Sequence, residues 1–169
     1  KLHDYFLGMK FKPEPRFHDG FLIADGETPK RTLVGRMLPQ PMVTTGNGAT
    51  AKLDDVLGTG FALLAIGDAA AAALAVLDQP IWARLDAERV ALLPIDGEQR
   101  PGLTENRLRV AQIAAEAMPR KLEPYRGKIL LIRPDRYVAV ACSPTGVTDI
   151  ADALSGLMRT APGKDAASR

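Results

Sequence analysis

Cysteine is almost absent from this chain of 169 residues: Cys142 is the single one. An intramolecular disulfide is therefore excluded, and so is any two-thiol redox motif, while the low usage suits a reducing cytoplasm. Histidine is nearly as scarce, with only His3 and His18, so a histidine-based triad or zinc site has no material. Aromatic residues make up 5% of a composition that is 46% hydrophobic, which makes the interior aliphatic. No apolar run approaches the roughly 20 residues of a membrane span. The longest, Ala69 to Leu77, is mostly alanine and is bounded by Asp68 and Asp78. Charge of one sign is lacking too. With 22 basic against 20 acidic side chains, the net charge of +2 gives no field that would gather nucleic acid or anionic lipid.

What is present divides into two regions. Residues 1–50 hold Pro13, Pro15, Pro29, Pro39 and Pro41, short extended pieces at Phe21 to Ile23 and Met42 to Thr45, and a Thr45-Gly46-Asn47-Gly48 tight turn. This reads as an arm and linker lying over a body. Leu2, Tyr5, Phe6 and Leu7 before Gly8 resemble the last turns of a helix. With Lys1 where an initiator methionine would stand, they make the chain read as a piece of a longer one.

Residues 51–160 are regular. Phe61 to Ile66 and Val90 to Ile95 are short continuous apolar runs, as buried strands require. Asp68 caps an alanine-rich helix reaching about Leu77. Thr104 and Glu105 open a second helix, with Leu108, Ala111, Ile113, Ala115 and Met118 near helical spacing. Ile129 to Ile132 and Val138 to Ala141 are two further strands joined by Arg133-Pro134-Asp135-Arg136, where proline presets φ for a turn. Val147 to Met158 closes the body as a helix with Ile150, Ala151, Leu154 and Leu157 on one face, and residues 161–169 form a flexible tail. The order is β-α-β-α-β-β-α. Two right-handed crossovers would place three strands in parallel, and the last hairpin would add an antiparallel edge. The expected fold is α/β: a three-layer thioredoxin-like βαβαββα body with an irregular N-terminal arm.

That fold does redox work through thiols at the start of the first helix, where the helix terminus stabilises a thiolate. Here the position reads Gly67-Asp68-Ala69-Ala70, without sulfur. Cys142 comes late, where a lone buried cysteine behaves as a small hydrophobe. Asp54-Asp55 caps or solubilises a turn. Gly58-Thr59-Gly60 precedes a strand rather than following one, so it is no dinucleotide fingerprint. The residues assign no catalytic, cofactor-binding or metal-binding side chain. By themselves they describe a non-catalytic module.

Three stretches resemble one family. Leu53-Asp54-Asp55-Val56-Leu57-Gly58-Thr59-Gly60-Phe61-Ala62-Leu63-Leu64 is similar to the start of the C-terminal domain in class A FAD-dependent aromatic-ring monooxygenases. Leu131-Ile132-Arg133-Pro134-Asp135-Arg136-Tyr137-Val138-Ala139 resembles their C-terminal RPD-x-x-VA hairpin, a more specific match than the first stretch. Gly35-Arg36-Met37-Leu38-Pro39-Gln40-Pro41 looks like their linker into that domain. Within the family the phenol-type hydroxylases, 3-(3-hydroxyphenyl)propionate hydroxylase among them, look most similar. The resemblance implies a parent enzyme of aromatic hydrocarbon catabolism that hydroxylates ortho to a phenol with FAD, NAD(P)H and O2. Its flavin motifs lie upstream, so the fragment itself would be inactive and hold no cofactor. Its partners would be its own flavin-binding domain and further copies in a homo-oligomer, with nucleic acid and membrane excluded. Arg133, Pro134, Asp135 and Tyr137 are the candidate domain or subunit interface; the plainer alternative is that Pro134-Asp135 closes the turn while Arg133 or Arg136 pairs locally. A stand-alone redox-inactive thioredoxin-like protein-binding module is the rival function. A glutathione-dependent oxidoreductase using Cys142 is disfavoured by the missing helix-start thiol.

Overall fold

A computed structural model describes residues 15–96 and 108–160. The helix end expected at Leu2 to Gly8, the Thr104-Glu105 helix start and the tail at 161–169 lie outside the described residues.

Strand β3 (Ala62–Ile66) is the centre of the molecule because every one of its residues, ALLAI, is buried. Side chains alternate across a strand. Ala62, Leu64 and Ile66 accordingly join one apolar core, and Leu63 and Ala65 join another on the opposite face. β4 (Glu88–Pro94) pairs with β3 in parallel, Leu64 opposite Val90. The crossover between them contains α2 (Asp68–Ala75) and α3 (Pro80–Arg84), after a shorter α1 (Leu53–Leu57) ahead of β3. β5 (Arg109–Ile113) runs parallel to β4, whereas β6 (Ile129–Ile132) is antiparallel to β3 and β7 (Val138–Cys142) antiparallel to β6. A hairpin of β1 (Met42–Thr45) and β2 (Thr50–Lys52) docks on β5 and completes the order β2-β1-β5-β4-β3-β6-β7. The tight turn expected at Thr45 to Gly48 is the loop of that hairpin, closed by the Gly48 amide on the Thr45 carbonyl at 2.8 Å.

One face of the sheet is covered by α2, α3 and the final helix α4 (Val147–Thr160), with Trp82, Ala70, Leu74, Ala151 and Leu154 buried among them. The other face is covered by Leu33, Val34 and Leu38 of the arm, by α1, and by the turns carrying Met118, Leu122 and Tyr125. The architecture is thioredoxin-like and three-layered, but its second layer is built from arm and turns instead of a long helix.

Four expectations are corrected here. The described part of the stretch beginning at Thr104 is no helix: Arg109–Ile113 is a strand, and only Ala115–Ala117 makes a single 3-10 turn. Ala111 and Ile113 are buried while Val110 and Gln112 are only half-buried, a period of two, and β4 supplies the pairing that its backbone needs. Next, the third parallel strand is β5, not Ile129–Ile132. The chain reverses at Gly127, with φ 77, whose amide bonds back to the Ile66 carbonyl, so β6 sets out from the end of β3 and must run antiparallel to it. Finally, the buried face of α4 contains Val147, Ala151 and Leu154, but Leu157 is exposed. Gly67 holds the N-cap of α2 with φ 90, one residue before the expected Asp68.

Candidate functional site

In a redox-active thioredoxin the chemistry sits where β3 ends and α2 begins. Here Gly67 donates its amide to the Leu92 carbonyl at 2.9 Å, and Asp68 opens the helix. The carboxylate suits the positive end of the helix and offers no nucleophile. Cys142 lies at the end of β7, separated from β3 by β6. It is half-buried, and its thiol rests 3.7 Å from the Ile129 carbonyl. Burial pushes the thiol up to about 11, outweighing the pull of nearby Lys128 in the other direction. At pH 8 the thiolate is then on the order of one part in a thousand, against roughly a quarter for a free cysteine of pKa about 8.5. Alkylation by iodoacetamide is expected to run about a hundredfold slower than for a free thiol at pH 8, rising about tenfold per pH unit up to pH ~11. A rate that levels off near neutral pH would contradict that environment.

Among the described residues no group of three histidine, cysteine, aspartate or glutamate side chains gathers as a metal would require. No described helix is long and apolar enough to cross a membrane.

The remaining candidate is the β6–β7 hairpin. Arg133 and Asp135 form a local ion pair at 2.6 Å, and the Arg136 amide donates to the Arg133 carbonyl at 2.9 Å to close the turn. Arg136 takes a left-handed φ of 68, which bends the chain out of β6. Pro134 and Asp135 stand exposed at the tip, while Tyr137 is buried. Of the four candidate residues the structure therefore gathers three at the tip and turns the fourth inward. There the Tyr137 ring meets the Phe17 ring edge-on at 4.6 Å between centroids, and the Arg133 guanidinium lies 4.9 Å over the same Phe17 ring. A shallow hollow beside them is lined by Phe17, Phe21, Phe61 and Pro134.

Two contacts connect this hairpin to stretches far away in the chain. Arg136 pairs with Asp54 of α1 and donates to the carbonyl of Gly58. On its other side the linker adds itself as a short irregular strand. The Gly35 amide donates to the Val138 carbonyl at 2.9 Å, the Val138 amide to Arg36 at 2.9 Å, and the Leu38 amide to Arg136 at 2.8 Å. All three stretches that carry the family resemblance thus meet at one end of the sheet. Sequence reasoning gave Arg136 a local partner and read Asp54 as a cap; the pair between them is long-range. The signal for it was the presence of both residues inside family-like motifs. Phe17 was not singled out at all.

The model of the HcaD C-terminal domain matches residues 35–157. A 3-(3-hydroxy-phenyl)propionate/3-hydroxycinnamic acid hydroxylase of Burkholderia cenocepacia is 33% identical over 157 residues, covering 90% of this chain but 28% of the relative. The chain thus spans less than a third of the length of that relative. Among solved structures, the flavin-dependent monooxygenase PieE, in complex with FAD and substrate, superposes with a TM-score of 0.54 at 18% identity, over 86% of this chain and 25% of that one. The thioredoxin domain of a thiol-disulfide oxidoreductase from Bacteroides vulgatus gives a TM-score of 0.51 at 13% identity, over 70% of this chain and 97% of that one. At those identities the likeness is one of fold.

Proposed function

This chain belongs to the HcaD C-terminal domain family, and on that premise we propose that it is the structural and oligomerisation domain of a flavin-dependent phenolic-ring hydroxylase. In this reading residues 1–50 are arm and linker from a flavin-binding domain, 51–160 are the thioredoxin-like domain, and 161–169 are a tail. The parent enzyme would be a cytoplasmic homo-oligomer that inserts one oxygen atom ortho to a phenol, with FAD, NAD(P)H and O2. The glycine-containing turns among the described residues do not fit a flavin. Asp68 opens the first turn of α2, the helix end at which a pyrophosphate would sit, and like charges repel there. Gly58-Thr59-Gly60 leads into β3 instead of out of it. The chain alone is therefore inactive in this proposal, and the cofactor does its chemistry in the longer protein.

One observation carries the reading: linker, α1 and hairpin are locked together by Arg136 and by backbone pairing, yet Pro134 and Asp135 remain exposed at the tip. A rigid tip on exposed turn residues is what a docking contact uses. The stand-alone binding module has no comparable observation in its favour, since the length of the matched relative supports a longer parent.

Asp135→Ala in the full-length hydroxylase tests the role of the tip. The Arg133–Asp135 pair is partly exposed, so its loss costs the fold at most about 1 kcal/mol. The expected result is a smaller assembly by light scattering with an unchanged circular dichroism spectrum. An assembly of unchanged mass would remove the tip from the interface.

A further inference from the structure

The opposite flank of the arm carries a cleft of about 390 Å³ that neither the hairpin nor the sulfur-free helix start explains. Two segments remote in sequence form its walls, 27–36 from the arm and 120–128 from the turns before β6. Between them they bring Lys30, Arg31, Arg36, Arg120, Lys121 and Lys128 around one hollow, against a single lining carboxylate, Glu27. The chain as a whole is close to charge balance, with a net charge of +2 over all 169 residues. The concentration of one sign in this hollow is therefore local, and a concave wall focuses its field. Lys30, Arg31 and Arg120 have no ion-pair partner among the described residues.

The floor is fixed in advance. Tyr125 is buried, its hydroxyl accepts the Leu33 amide at 2.7 Å and donates to Asp25 at 3.3 Å, and Asp25 also receives the Thr32 hydroxyl at 2.7 Å. Arg16 and Arg36 both donate to the Pro29 carbonyl at 3.1 Å, which holds the loop that carries Lys30 and Arg31. The Lys128 ammonium lies 5.2 Å over the Tyr125 ring. Lys30, Arg31 and Arg120 line the cleft without an ion-pair partner among the described residues, against the single lining carboxylate of Glu27, and that local surplus is matched by a group of charge −2 to −3. The volume is that of a small-molecule site.

We propose that this cleft binds a small polyphosphate, either free or as the diphosphate of a nucleotide. The test is calorimetric titration of the chain with pyrophosphate, ADP and AMP at low and moderate salt. A second protein carries Lys30→Glu and Arg120→Glu, both exposed, and Arg84→Glu on α3 serves as a control outside the cleft. Pyrophosphate is expected to saturate one site per chain. Its affinity should fall as salt rises, and fall at least tenfold in the paired variant but not in Arg84→Glu. ADP binding more tightly than pyrophosphate assigns the nucleotide; ADP binding no more tightly assigns the free polyphosphate. The absence of saturable heat at millimolar pyrophosphate, or an affinity that the paired variant leaves unchanged or that Arg84→Glu lowers equally, overturns the proposal.

Discussion

Gly35→Ala is expected to destabilise the chain by about 3–5 kcal/mol, the largest effect of any conservative change near the hairpin. Gly35 has φ 78, a left-handed conformation that costs a residue with a Cβ about 1–2 kcal/mol. Space makes matters worse. An alanine Cβ would stand 2.1 Å from the carbonyl oxygen of Phe17, a backbone atom that no side-chain rotation can move aside. Retreat is blocked on both sides, because the Phe17 amide bonds to the Gly35 carbonyl at 2.8 Å and the Gly35 amide to Val138 at 2.9 Å. Relieving the clash therefore means giving up one of these bonds and drawing Phe17 off Tyr137. Urea unfolding would read this as a lower midpoint with an unchanged slope. A loss under about 1 kcal/mol would show that the linker is not clamped to β7 as described.

Arg136→Met is expected to cost about 2–3 kcal/mol, since it removes a charge-assisted bond to the Gly58 carbonyl together with the Asp54 pair. The arginine side chain is 17% exposed and the aspartate 40%, so solvent screens part of that interaction and holds the figure below that of a fully buried pair. Arg133→Met provides the contrast. Its partner Asp135 is two residues away at the exposed tip, and its loss should stay within about 1 kcal/mol. A double-mutant cycle with Asp54→Asn should return a coupling of at least about 1 kcal/mol for Asp54–Arg136. A coupling near zero would mean that α1 and the hairpin merely lie side by side.

How legible all of this was in the sequence depends on what each residue is paired with. Ala62–Ile66 and Ile129–Ile132 are buried on both faces of a central sheet, and their unbroken apolar runs announced them as strands. α4 was readable from Ala151 and Leu154, although Leu157, on the same helical face, is exposed. β5 misled because Ala111, Ile113 and Met118 are buried in one core at spacings that mix a period of two with a longer step across a turn. Only pairing with β4 separates those alternatives, and pairing partners are not written in a local window. The same limit applied to the hairpin. Arg133-Pro134-Asp135 is a local turn, and its chemistry was read as such. Arg136 reaches Gly58 across 78 residues, a contact that no spacing rule could supply. The arm was read from its prolines as an irregular piece lying over a body, and its Leu33, Val34 and Leu38 are buried in that packing. In the cleft, six cations come from two segments that sit among acids in the linear chain, so the composition averaged them away.

In the proposed role, a fold with no thiol at the start of its first long helix presents the rigid β6–β7 turn to the rest of a larger enzyme. Hydrogen exchange at the amides of Asp135, Arg136 and Tyr137, compared between this chain alone and the full-length hydroxylase, tests it most directly. Slower exchange at the Asp135 amide in the longer protein, with Val140 in mid-β7 equally protected in both, is the result the account predicts. Identical exchange at the tip in the two proteins would contradict it.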